Sequence, residues 1–240
     1  MRRDYAENVS RAGLCAESAR RREKAEDRFY LAAGLVLLCA EIWKQYVLTF
    51  RIGEGAYQWW YFPFQLCSVP VYLCLLIPFC GKNRGLRRAM VTFLADFSVL
   101  SGLIAFLDTS GMHYGYAPLT VMSYLWHIGI AAVGIRSGLK QEGLTLRCFL
   151  PAAGIYLGCC LIAELINLNL DRFGVINMFY INPHYEMNQI VFASMRQFLP
   201  NQAVIAVYII MTVLGAFLIH LLWMGIGRLR YGSEDNRGYE

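Results

Sequence analysis

Apolar residues gather along this chain into six blocks, separated by short polar connections. They are Phe29–Phe50, Trp60–Cys80, Ala89–Leu107, Ala117–Ile135, Cys148–Asn167 and Asn201–Ile226. Each is close to the roughly 20 mostly apolar residues that a helix needs to cross a bilayer. Of the 22 basic and 17 acidic residues, only Glu41, Lys44, Asp96 and Glu164 fall inside these blocks. A soluble bundle would set charge on the outer face of every helix at a 3.6-residue period. The second, fourth and sixth blocks carry none on any face. The pattern predicts an all-α polytopic membrane protein with six transmembrane helices in one bundle.

The connections then give the orientation. Basic residues number eight in 1–28, four in 81–88, three in 136–147 and three in the C-terminal tail. The alternate connections 51–59, 108–116 and 168–200 hold one, none and two. Lys and Arg stay on the cytoplasmic side, so both termini are expected there. The expected organisation is a basic cytoplasmic segment over 1–28, a transmembrane domain over 29–226 and a cytoplasmic tail over 227–240. The basic N-terminal stretch is too long, and the following apolar run too complete, for a cleaved signal peptide. An integral membrane location is expected.

Composition agrees with the pattern. Charged residues make up 16% of the 240, and 57% belong to the set AVILMFWYC. This excludes a disordered chain and a nucleic-acid-binding domain. The net charge of +5 comes largely from juxtamembrane residues and suits anionic lipid headgroups, so no nucleic-acid partner is expected. The eight cysteines lie mostly in or beside apolar blocks and form no CxxC motif. They predict neither a disulfide framework nor a metal site, and no metal or organic cofactor is implied. Protein partners are left open.

Ionisable groups inside a membrane are costly and mark functional positions. Counted inward from the outer ends of their blocks, Cys67, Glu41, His127 and Asp96 lie seven to eleven residues deep. At 1.5 Å per residue that is one layer, roughly 10–17 Å below the outer interface. Lys44, Gln45 and Gln65 lie slightly above it. These residues are expected to line one interior cavity. His127 shares a helical stripe with Thr120, Ser123, Ala131 and Gly134, so it faces neighbouring helices. Pro70 is expected to bend the second helix beside Cys67. Taken alone, Cys67 reads as a small apolar packing residue at least as readily as a nucleophile. Glu41 has an equally plain reading, a pair with Lys44 or Gln45 on its own helix. The connection 168–200 is a candidate lid or an ordered loop without a role.

The run Phe62-Pro63-Phe64-Gln65-Leu66-Cys67-Ser68-Val69-Pro70-Val71-Tyr72 resembles the second-span motif of the YwaF family of bacterial integral membrane proteins. Glu41-Ile42-Trp43-Lys44-Gln45, His127 and Ile176-Asn177-Met178-Phe179-Tyr180-Ile181-Asn182-Pro183 fit the same pattern and order. That family is similar to the eukaryotic transmembrane protein 164 group of glycerophospholipid acyltransferases. The resemblance implies Cys67 as acyl carrier. Many members place a His two positions before the Cys, where this chain has Gln65; His127 is then the candidate base. The expected activity is acyl transfer on phospholipids or related acylated lipids through a Cys67 thioester. Glu41 or Asp96 would orient His127, Gln65 or the backbone at the Pro70 kink would supply oxyanion donors, and Lys44 would support the polar layer. Asn177, Tyr180, Asn182 and Pro183 are the lid candidates. The alternative is a transporter or a lipid- or small-molecule-binding protein using the same polar layer.

Overall fold

A computed structural model describes residues 2–81 and 83–235, with side chains for 17–81 and 83–230. Among these residues there is no strand. Helix α1 (Arg2–Tyr46) runs unbroken from the charged tail into the first apolar block and ends in a π-helical turn, Val47–Ile52. Helices α5 (Ala117–Lys140), α6 (Leu146–Leu170) and α8 (Asn201–Asp235) are the other long elements. Four segments are long and apolar enough to cross a membrane: Glu17–Ile52, Ala117–Lys140, Leu146–Phe173 and Asn201–Arg230. The chain is an α-helical membrane protein. The divisions at residues 28 and 226 fall inside continuous helices.

The second and third blocks fold differently from expectation. Within Trp60–Cys80 the helix is confined to Val69–Phe79, as α2 (Val69–Leu76) and a 3-10 turn, Ile77–Phe79, after an isolated 3-10 turn at Trp59–Tyr61. Pro70 does not bend this helix; it starts it. Proline is at home in a first turn, where its missing N–H has no intrahelical partner to lose. The chain from 62 to 68 is irregular. In the third block α3 (Arg84–Phe93), a π-helical turn at Leu94–Ser98 and α4 (Val99–Ile104) form one continuous rod. It begins five residues before the block because the Asn83 side chain caps it, accepting from the Leu86 N–H at 3.0 Å. A short helix, α7 (Ile190–Met195), precedes α8.

The rod packs on α5 through glycine. A Cβ at Gly102 would lie 2.8 Å from the His127 carbonyl oxygen, and one at Gly134 2.6 Å from that of Leu94. Such backbone-to-backbone approach is how small residues join helices when apolar surroundings supply no hydrophobic drive. Stacked rings fill the core: Phe97 lies 4.8 Å from Phe93 and 4.9 Å from Tyr156, centroid to centroid. At the end nearest the chain termini, here the tail end, Arg136 grips Glu26 with two bonds of 2.7 and 2.8 Å. Arg87 reaches Asp27 at 2.7 Å, and the Tyr30 and Ser137 hydroxyls meet at 3.0 Å. The opposite, loop end carries the connection 168–200.

Candidate thiol–imidazole site

Cys67 lies in the irregular stretch just before α2. Two neighbouring residues of α5 hold it. The Trp126 indole N–H donates to the Cys67 carbonyl at 3.2 Å, supplying a donor that this non-helical backbone lacks. One residue on, the His127 imidazole lies beside the Cys67 thiol. His127 Nδ1 is 2.8 Å from the carbonyl oxygen of Ser123, one turn earlier. A carbonyl can only accept, so Nδ1 carries the proton and Nε2 keeps its lone pair for the thiol.

Charge surrounds this pair. Lys44 and Glu41 act electrostatically on the thiol. Lys44 Nζ is 2.8 Å from Glu41 Oε1 and 5.8 Å from the centre of the Trp126 ring. The Gln45 amide donates to Glu41 Oε1 at 2.8 Å and to the Tyr61 carbonyl at 2.7 Å, tying α1 to the turn ahead of Cys67. Glu41 is 5% exposed, and its Oε2 has no partner. One carboxylate oxygen is thus fully engaged and the other is held in reserve. Tyr114, Tyr180 and Tyr208 also lie within electrostatic reach of Cys67.

The lid candidates form a wedge built into the core. Ile176, Asn177, Met178, Phe179, Ile181 and Asn182 are buried; Tyr180 and Pro183 are half-buried. Phe179 and Tyr180 have φ of +56° and +57°, which side chains with a Cβ rarely adopt. Hydrogen bonds impose this shape. Asn167 accepts from the Met178 N–H at 2.7 Å and donates to the Met178 carbonyl at 3.2 Å. The Asn177 side chain accepts from the Asn182 N–H at 2.9 Å, and Asn182 donates to the Ile176 carbonyl at 2.8 Å. Gln65 completes the set, accepting from the Phe179 N–H at 2.7 Å and donating to the Asn177 carbonyl at 2.9 Å. The expected oxyanion donor is therefore a clamp on the wedge.

Asp96 is the main correction. It does not join Cys67 and His127 but pairs with His220 of α8, Oδ2 to Nδ1 at 2.9 Å, both side chains fully buried. His220 Nε2 lies 3.1 Å from the Thr145 carbonyl, toward the tail end. The depth count failed because α4 stops at Ile104 instead of reaching the loop end. Gly102 is level with His127, whereas Leu94 is level with Gly134, about 10 Å further along α5. His220 stands only six residues before the end of its apolar block, yet α8 continues to Asp235 and leaves it deep inside. Trp126 and Asn167 were missed as well. The available signal was an indole or amide N–H in an apolar block, which needs an acceptor.

The cysteines described are all free thiols, and no three His, Cys, Asp or Glu side chains converge on a metal-binding position among the described residues. Comparison with protein-family models, curated proteins and solved structures gave no match.

Proposed function

We propose that this protein is an acyltransferase of the bacterial plasma membrane that moves acyl groups between phospholipids or related acylated lipids through Cys67. The observation that carries this reading is the Cys67 thiol facing an imidazole whose other nitrogen is already committed to Ser123. The motif resemblance to the YwaF and transmembrane protein 164 families supports it. The bundle then has six spans, the four long helices being joined by the Cys67 segment with Val69–Phe79 and by the rod Arg84–Ile104. Its tail end is cytoplasmic, in line with the bias of basic residues.

The chemistry follows from the atoms. His127 Nε2 takes the thiol proton, and the sulfur attacks the ester carbonyl of a donor lipid. The carbon–oxygen bond breaks, and the His127 proton goes to the departing alkoxide, leaving a thioester on Cys67. An acceptor hydroxyl then loses its proton to His127 and attacks the thioester carbonyl; the carbon–sulfur bond breaks and the thiol is restored. Glu41, whose Oε2 is unpartnered, positions the acceptor hydroxyl. Lys44 supplies positive charge near the developing oxyanion. Intact-mass analysis of protein incubated with phospholipid vesicles tests this. An acyl-sized mass increase that disappears in Cys67→Ser is the expected result; no increase in wild type counts against it.

A second reading, transport or small-molecule binding, is favoured by the buried Asp96–His220 pair, which suits a proton relay. Cys67→Ser discriminates, because transport through that pair tolerates it.

A further inference from the structure

A groove between α6 and α8 plays no part in the chemistry at Cys67. It encloses about 310 Å³, within the range of small-molecule sites. Leu161 on α6, Ile205 and Ile209 on α8, and Ile181 and Pro183 of the wedge give it an apolar lining. Glu164 on α6 breaks that lining. Its Oε2 is removed from solvent without a hydrogen-bond partner, and no cation of the described residues pairs with it. Glu164 is half-buried, and a carboxylate oxygen withdrawn from water without a partner is disfavoured, so the position asks for a donor, a cationic one best of all.

The source of that donor follows from the setting. Leu161, Leu165 and Ile210 beside the groove are 70%, 61% and 57% exposed, the surface of a helix pair facing lipid. Glu164 is six residues before the end of α6, about 9 Å along the helix axis, near where headgroups meet acyl chains. Gln202 at the end of the groove offers an amide N–H suited to a phosphate.

We infer that this groove binds a membrane lipid with a primary ammonium headgroup, whose N–H groups donate to Glu164 while an acyl chain lies along Ile205 and Ile209. A quaternary ammonium has no N–H to give, and an anionic headgroup is repelled by the carboxylate. The site stands whether or not Cys67 carries acyl groups.

Native mass spectrometry of the detergent-solubilised protein tests it, using phosphatidylethanolamine, phosphatidylcholine and phosphatidylglycerol with identical chains. Wild type should prefer the ethanolamine lipid about tenfold over both, the scale of one charge-assisted hydrogen bond. Glu164→Gln should bring it level with the choline lipid. Leu161→Trp, on the exposed rim where folding is not at stake, should weaken its binding. Free ethanolamine should not compete. Equal binding of the three lipids to wild type, a preference that survives Glu164→Gln, full binding in Leu161→Trp, or displacement by free ethanolamine would each overturn the proposal.

Discussion

His127 Nδ1 lies 2.8 Å from the carbonyl oxygen of Ser123, its neighbour one turn back on α5. The helix itself thereby sets the imidazole tautomer, a task that a carboxylate performs in a catalytic triad. The prediction is that no acid is needed for this. Asp96→Asn, where it folds, should leave acyl exchange within about threefold of wild type, far less than the 10²–10⁴-fold loss of a general base. A loss on that larger scale would mean that Asp96 acts on His127 after all.

Asp96 and His220 form a fully buried pair, and their effect should appear in stability. Removing one member strands the other, at a cost of about 3–5 kcal/mol. The double change Asp96→Leu with His220→Leu should be milder than the sum of the single changes. Thermal unfolding in detergent measures this; additive losses would show that the two are not coupled.

The wedge predicts a second pattern of losses. Asn167→Leu leaves the buried Met178 N–H without a partner and takes one of two donors from the Met178 carbonyl, which keeps the Ile181 N–H at 3.3 Å. An unsatisfied buried group costs about 1–3 kcal/mol, so a loss on that scale is expected. Gln65→Leu should act similarly through Phe179 and Asn177. Unfolding midpoints unchanged by both would remove the clamp.

Glycine packing gives a matched control. Gly134→Ala drives a methyl group against the Leu94 carbonyl, a backbone atom that cannot rotate away, whereas Gly129→Ala meets open space on the same helix. The first should cost about 1–3 kcal/mol and the second should be near neutral.

Much of the fold was legible because the apolar blocks are long and the charges leave them. The four long helices follow the pattern closely. The second block misled because periodicity and length do not reveal that Pro63 and Pro70 bracket an irregular stretch, with Pro70 opening the helix. The third misled because depth was counted from an apolar boundary at Leu107 that is not a helix end. His127 and Cys67 were both legible as polar residues in apolar blocks. Their contact was not, since it depends on where the non-helical chain at Cys67 meets α5. Trp126 fixes that place, and its indole N–H in an apolar block signals that an acceptor is near without saying which one.

Lipid acyl exchange in reconstituted vesicles, measured for wild type, Cys67→Ala, His127→Ala and the double variant, tests the central claim most directly. If the imidazole generates the thiolate, each single change removes nearly all exchange and the double change is hardly worse, because groups sharing one step are strongly non-additive. The loss in His127→Ala should then be about 10²–10⁴-fold. Independent, multiplicative losses would assign His127 to folding or binding instead, and full exchange in Cys67→Ala would contradict the account outright.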